Sequence, residues 1–242
     1  MRQLPESYRK GSEMTPTAER SVVALVPMRH HSLRVEGKNY RPIVGRPLYA
    51  YILDTLLGCE LVSKIVVDTD SSVIREGIRQ AFPSVDIIPR PDNLTGDDVP
   101  MNEILIHDLK QVPSAFYLQT HSTNPLLKGE TIVRAINTFF DGQPDHDSLF
   151  SVTPFRTRLW TTRGDPVNHD PNQLIPTQDL EPLLVENSCL YIFSQAVLLE
   201  RRNRIGHNPI LFEIEDEEAV DIDTEWEFSL AEYLIGRRQT EA

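Results

Sequence analysis

Two cysteines, Cys59 and Cys189, are all that the 242 residues contain, too few for a disulfide framework and without the spacing of a zinc site. No stretch approaches the ~20 consecutive apolar residues of a membrane helix, and residues 1–20 lack the apolar segment of a secretory leader, so a cytoplasmic protein away from membranes is expected. Basic residues are few beside acidic ones, 24 against 36, for a formal charge of −12. That balance counts against nucleic acid as a partner, because a nucleic-acid footprint is basic. It leaves room for a small anion gripped by a handful of local Lys and Arg residues. Neither GxGxxG nor GxxxxGK[ST] occurs after the first apolar run, so a nicotinamide site or a P-loop has no support.

What is present is an alternation of strand and helix patterns. The length suits one domain of ordinary size or two very small ones, preceded by a polar tail over residues 1–20. Short apolar runs at Ser21–Val26, Lys64–Asp68, Val85–Ile88, Ala115–Gln119 and Leu149–Val152 read as strands buried on both faces. Helical spacing fills the gaps at Pro47–Leu57, Ser71–Phe82, Pro100–Lys110 and Gly129–Phe140, with Ser71 and Ser72 available as N-caps. This spacing predicts βαβ crossovers and a mostly parallel sheet. Residues 154–185, with five prolines, show no helical period and read as a functional excursion, a lid or an arm to a second subunit. Regular patterns resume at Cys189–Phe193, Gln195–Arg202, Leu211–Ile214, Ala219–Ile222 and Thr224–Ile235, and the acidic run Glu213–Glu218 reads as a solvated approach to the last strand.

In an open α/β sheet, ligands bind beyond the carboxyl ends of the strands, so the loops leaving strands are the places to search. The first, Pro27–Asn39, carries Arg29, Arg34, Lys38, two histidines, Ser32 and an amide, a set able to hold phosphate oxygens, though a solvated loop is the bland alternative. Alternation along a strand would turn Asp221 and Asp223 to one side, where two carboxylates suit a hard cation such as Mg²⁺; equally, Asp223 or Thr224 caps the following helix. Capping also accounts for Asp70. His121 has no triad partners at recognisable spacing, and Cys189 reads as a small core residue.

Taken in order, these segments resemble the cytidylyltransferases that activate acidic sugars, the acylneuraminate family and its Kdo-activating relatives. PMRHHSLRVEGKN follows the family's P-A-R-x-x-S-K-G-x-x-x-K-N at Pro27, Arg29, Ser32, Lys38 and Asn39. Gly45-Arg46-Pro47-Leu48, Val67-Asp68-Thr69-Asp70 and Arg90-Pro91 through Asp97 match G-K-P-L, V-S-T-D and R-P-x-x-L-x-x-D. Gln178-Asp179, Asn187 through Phe193 and Asp221-Ile222-Asp223-Thr224 follow R-Q-D, N-G-A-I-Y-I-F and D-I-D-T. The resemblance spans residues 21–235.

It implies a single Rossmann-like αβα domain over 21–242, with a mostly parallel sheet and the 154–185 segment as a dimerisation arm. It further implies CTP and a small anionic acceptor as ligands, Mg²⁺ on Asp221 and Asp223, and a homodimer. Nucleotide binding falls to Pro27, Arg29, Ser32, Arg34, Lys38, Asn39, Arg90 and Asp97, with Arg29, Lys38 and Asp223 catalytic. Acceptor binding falls to Gln119, His121, Gln178 and Asn187. The chain departs from the pattern where the family's arginines before Q-D are Pro176 and Thr177, and where Q-P-T-S-P becomes Gln119 through Pro125. Those departures keep two alternatives open: CMP transfer to another anion such as a phosphonate, and an inactive nucleotide-binding protein.

Overall fold

The computed structural model describes residues 20–241; the tail expected over 1–20 therefore lies, except for Arg20, outside the described residues. Seven strands form the main sheet in the order β5-β4-β1-β6-β8-β7-β9. They are β1 (Val22–Leu25), β4 (Val62–Thr69), β5 (Asp86–Pro89), β6 (Phe116–Thr120), β7 (Ser148–Phe155), β8 (Leu183–Ser194) and β9 (Pro209–Glu213). Only β8 runs against its neighbours, so the expectation of a mostly parallel sheet holds. A two-stranded ribbon of β2 (Pro42–Ile43) and β3 (Arg46–Pro47) stands apart.

The period of two along β1 divides the core into two layers. Val22, Ala24 and Val26 face α1 (Leu48–Leu57), α2 (Ser72–Ala81) and α4 (Gly129–Asp141), while Val23 and Leu25 face α3 (Met101–Gln111) and α5 (Gln195–Arg201). Fully buried Leu53, Ile74, Ile136 and Phe139 anchor the first layer and Leu105, Tyr117 and Leu198 the second; each such burial stabilises by about 1.5–3 kcal/mol. A third cluster packs α6 (Glu225–Glu241) through Phe228, Ala231 and Ile235 onto Val35, Ile43, Leu48 and Ile222. Winding runs outward from β1 through β4 to β5, then returns across β1 to β6. The switch point between β1 and β6 opens a crevice at the carboxyl edge.

Three expectations change. Ala219–Ile222 is not a strand: Glu218 and Ala219 donate to the Glu215 carbonyl in a turn, and the Ile222 N–H goes to the Thr123 carbonyl outside any ladder. Its apolar alternation reflects Ile222 packing on α6, not sheet pairing. The 154–185 excursion is shorter than expected, because β7 and β8 pair antiparallel from Thr153 opposite Val185 to Phe155 opposite Leu183. The remaining 156–182 loop is folded on itself, with Asn168 accepting from the Leu159 N–H at 2.9 Å and donating to the Thr157 carbonyl at 2.7 Å. Leu174 at 87%, Val167 and Trp160 are exposed on it.

The third change concerns the acidic run. Glu213, Glu215 and Asp216 are exposed, but Glu218 is 2% exposed. Its carboxylate accepts from the Lys128 N–H at 2.9 Å and the Thr131 hydroxyl at 3.0 Å, capping α4 from a remote segment because Lys128 offers no side-chain cap of its own. Replacing Glu218 with Ala strands these donors, and bonds to a charged group are each worth about 1.5–3 kcal/mol. Urea unfolding should show E218A destabilised by about 2 kcal/mol, with E213A within about 0.5 kcal/mol of wild type. Equal effects would return Glu218 to the solvated surface.

Candidate active site

The crevice has a volume of about 640 Å³ and is lined from three strand exits and the segment before α6. The β1 exit supplies Pro27, Arg29, Ser32, Arg34, Lys38 and Asn39, the β5 exit Arg90 and Asp97, the β6 exit His121 to Thr123, and the segment before α6 Asp221 and Asp223. Ser188 and Arg204 also line it. Of the expected residues, these eleven therefore converge: Pro27, Arg29, Ser32, Arg34, Lys38, Asn39, Arg90, Asp97, His121, Asp221 and Asp223. Gln119, Gln178 and Asn187 do not line the crevice. Gln178 is exposed in the 156–182 loop, whose course carries it elsewhere. Asn187 is a structural clamp, its Oδ1 accepting from the Ser151 hydroxyl and the Cys189 N–H beside Ser188, whose φ of 59° is left-handed where the resembled family has glycine.

The loop after β1 is tied down residue by residue. Gly37, at φ 61°, makes the left-handed turn that sends Lys38 into the crevice. The Asn39 amide donates to the Arg29 carbonyl at 2.7 Å and accepts from the Ser122 hydroxyl at 2.7 Å, joining the β1 and β6 exits. His30 is structural: its N–H donates to Asp70 at 2.7 Å, its ring bonds the Ser71 hydroxyl, and it stacks on Tyr40. Asp70 thus holds this loop, and Ser71, accepting from the Ile74 N–H, caps α2. His31 is exposed.

Three cations of the crevice are paired with carboxylates of the same crevice. Arg29 pairs with Asp97 at 2.5 Å; Lys38 and Arg34 meet the two oxygens of Asp223 at 3.0 and 2.8 Å. Burial would raise Asp223, but the bonds to Lys38 and Arg34 outweigh it and hold the carboxyl below its ordinary value. Asp223 does not cap α6. Thr224 and Glu227 form that capping box, the Glu227 carboxylate taking the Asp223 and Thr224 N–H groups at 2.9 and 2.8 Å. Asp221 is more buried, which raises its carboxyl, and its Oδ1 has no partner. An orphaned carboxylate oxygen beside a second carboxylate is a donor set that fits a hard, oxygen-seeking cation.

Arg90 is buried, with its Nε on Asp68, and behind Asp68 lie Asp108 and His107. Burial raises both carboxyls; Arg90 opposes this at Asp68, whereas at Asp108 the neighbouring Asp68 adds to it and pushes Asp108 up to about 9. A protonated Asp108 donates to Asp68, whose Oδ2 otherwise has no partner. Sequence reasoning did not reach this pair, because Asp108 lies on a helix face forty residues from Asp68.

Arg204 was also missed. It lies in the Asn203–Asn208 loop after α5, with no motif around it, and its guanidinium stacks 3.5 Å over the Tyr191 ring and donates to Gln119 Oε1. Since an arginine only donates, Gln119 Oε1 is fixed as acceptor and its Nε2 donates to the Thr120 carbonyl and to His121 Nε2 at 2.9 Å. His121 is therefore the Nδ1–H tautomer, and burial together with the Arg204 and Lys38 charges pushes it down to about 3. It faces the crevice as a neutral donor.

Residues 23–241 match the cytidylyltransferase family. The chain belongs to that family. It is 28% identical over 232 residues to the CMP-N,N'-diacetyllegionaminic acid synthase of Legionella pneumophila, covering 90% of this chain and 97% of that one. It is 25% identical to the post-translational flagellin modification protein B of Campylobacter coli, at 91% and 97% coverage. Against the N-acylneuraminate cytidylyltransferase of Escherichia coli it is 23% identical over 87% of this chain and 51% of that one. The fold is shared with a CMP-2-keto-3-deoxy-manno-octonic acid synthetase solved with CTP, at a TM-score of 0.68, 15% identity and 90% and 99% coverage. Among the described residues, no helix of this cytidylyltransferase is long and apolar enough to cross a membrane.

The Asp68–Asp108 pair makes a prediction for stability. Between about pH 4 and 9 the folded protein keeps a proton on Asp108 that the unfolded chain has lost, so this group's contribution falls as pH rises, by at most about 1.4 kcal/mol per pH unit. D108N keeps a donor toward Asp68 but does not titrate. Urea unfolding from pH 5 to 8 should show D108N gaining on wild type as pH rises, while parallel curves would remove the shared proton.

Proposed function

We propose that the protein couples CMP from CTP to an acidic sugar of the nonulosonic class, releasing pyrophosphate, in the cytoplasm. The observation that carries this reading is the joining, in one crevice of a cytidylyltransferase, of Arg29, Arg34, Lys38 and Arg90 with the Asp221 and Asp223 carboxylates. The names of the relatives from Legionella pneumophila and Escherichia coli, a legionaminic acid synthase and an acylneuraminate cytidylyltransferase, support the acceptor class.

Transfer of a nucleotidyl group needs alignment and charge neutralisation more than covalent help. The acceptor hydroxyl oxygen attacks the α-phosphorus and gives up its proton to solvent, the bond to the β-phosphate bridging oxygen breaks, and pyrophosphate leaves. Arg29, Arg34 and Lys38 take the phosphate oxygens in exchange for Asp97 and Asp223, so cations already held by one set of anions meet another. Arg90, held rigid by Asp68, adds fixed positive charge at the β5 exit. Pro27, Ser32 and Asn39 shape the β1 exit around the nucleotide. Asp221 and Asp223 would hold Mg²⁺, which when bound would offset charge on the phosphate oxygens. Gln119 acts behind the wall by orienting His121, whose Nδ1–H is presented to the acceptor.

The exposed Trp160, Val167 and Leu174 suit burial against a second copy, and we propose a homodimer built on the 156–182 loop. Sedimentation should give twice the 27.6 kDa chain mass, and W160E together with L174E should give the monomer; a monomeric wild type would end the dimer reading.

The enzymatic reading is tested with CTP, Mg²⁺ and a panel of 2-keto sugar acids, which should yield pyrophosphate with at least one acid. Loss of a metal ligand removes several kcal/mol of charge stabilisation, so D223A should retain its circular dichroism and turn over roughly 1000-fold more slowly. Unchanged turnover in D223A would remove the assigned ligand pair.

A further inference from the structure

With Pro176 and Thr177 where the resembled family carries arginines, and with Gln178 outside the crevice, an acidic acceptor needs another cation to meet its acid group. Five cations line the crevice, and four are committed: Arg29 to Asp97, Arg34 and Lys38 to Asp223, Arg90 to Asp68. Arg204 alone has no carboxylate within ion-pair distance among the described residues; Glu186, whose charge acts on it, accepts from the Tyr191 hydroxyl instead. A guanidinium does not deprotonate in proteins, and leaving one desolvated without an anion is costly. Among the described residues its side-chain contacts are to the Gln119 amide oxygen and to Tyr191, neither of them a carboxylate.

The loop that carries it is built rather than slack. The Arg204 N–H donates to Asn102 Oδ1, the Ile205 N–H to Asn203, the Gly206 N–H to the Ser148 hydroxyl at 2.8 Å, and the His207 and Asn208 N–H groups to Asp147 at 2.6 and 3.0 Å. These bonds hold the Asp147 carboxyl below its ordinary value despite the opposing effect of burial. A Cβ on Gly206 would lie 2.1 Å from Asp147, so only glycine permits this approach. The side chain is fixed in turn by Tyr191 below and Gln119 beside it, which leaves the rest of its planar fork for a ligand.

We propose that Arg204 binds the carboxylate of the acceptor and thereby selects acidic over neutral sugars. The assignment rests on the functional reading above. Two parallel N–H···O bonds from a pre-oriented fork to a carboxylate supply the specificity, and the neutral His121 next to it adds a donor without competing for the anion. The residue positions and selects the acceptor; the CTP side of the crevice keeps its own cations.

The test compares a 2-keto sugar acid that the wild type turns over with the carboxamide of the same sugar. R204A should raise the KM for the acid about 100-fold with the KM for CTP within about twofold of wild type. Wild type should lose a similar factor on the carboxamide, and R204A should treat acid and carboxamide alike, which a merely structural defect would not produce. R204K, which keeps the charge but not the fork, should retain part of the preference, and it carries the same comparison if R204A does not fold. Undiminished discrimination in R204A or R204K overturns the assignment while leaving the enzymatic reading intact. Silence of the wild type with every acid overturns both.

Discussion

The Asn39 amide donates to the carbonyl of Arg29 and accepts from the Ser122 hydroxyl, so one buried side chain couples the loops leaving β1 and β6. These are the strands between which the sheet reverses its winding, and their exits would otherwise be two independent surface loops. Coupled, they become one wall. Lys38 then reaches the Ile222 carbonyl and Asp223, and Ile222 in turn donates to the Thr123 carbonyl, closing a ring of contacts among three chain segments remote in sequence. The positions of Arg29, Lys38, His121 and Asp223 all follow from that ring. A buried amide whose donor and acceptor are both used has one low-energy placement, and this fixes the crevice without a ligand.

Charge inside the crevice is stored as internal pairs. Each cation that faces the proposed nucleotide is held by an aspartate, so entry of a triphosphate exchanges one anion for another and does not desolvate a free charge. The same arrangement accounts for the acidic balance of the chain: part of the −12 is the complement of a cation cluster confined to one edge. Asp68 and Asp108 extend the logic below the surface, where a shared proton removes the second negative charge that Arg90 alone would not neutralise.

Much of this was legible in the sequence. The parallel sheet and its helices followed from apolar periodicity, and the basic set after β1 and the Asp221–Asp223 pair from loop composition, since those signals are local; the roles of Pro27, Arg90, Asp97 and His121 came only from the resemblance to a known family. What was misread involved partners far along the chain. Glu218 sits in an acidic run that looks solvated, and only the fold shows that its neighbour is the bare amino end of α4. Ala219–Ile222 alternates like a strand because Ile222 must be buried, and burial against a helix leaves the same short pattern. Arg204 belongs to no motif; its role comes from Tyr191 and Gln119, brought beside it by antiparallel pairing of β8 with β6. Gln178 and Asn187 lie in matched motifs, yet a motif does not say which way its loop turns.

The Thr224–Glu227 box has a consequence for how the crevice changes state. Because Glu227 takes the N–H groups of Asp223 and Thr224, the start of α6 makes no demand on the Asp223 side chain. Its carboxylate is therefore free to leave Lys38 and Arg34 for another cation while the helix behind it keeps every cap. Exchange of partners at this edge becomes a rotation of one short side chain, insulated from the packing of Phe228, Ala231 and Ile235, and the electrostatic state of the crevice is uncoupled from the folding of the helix that closes it.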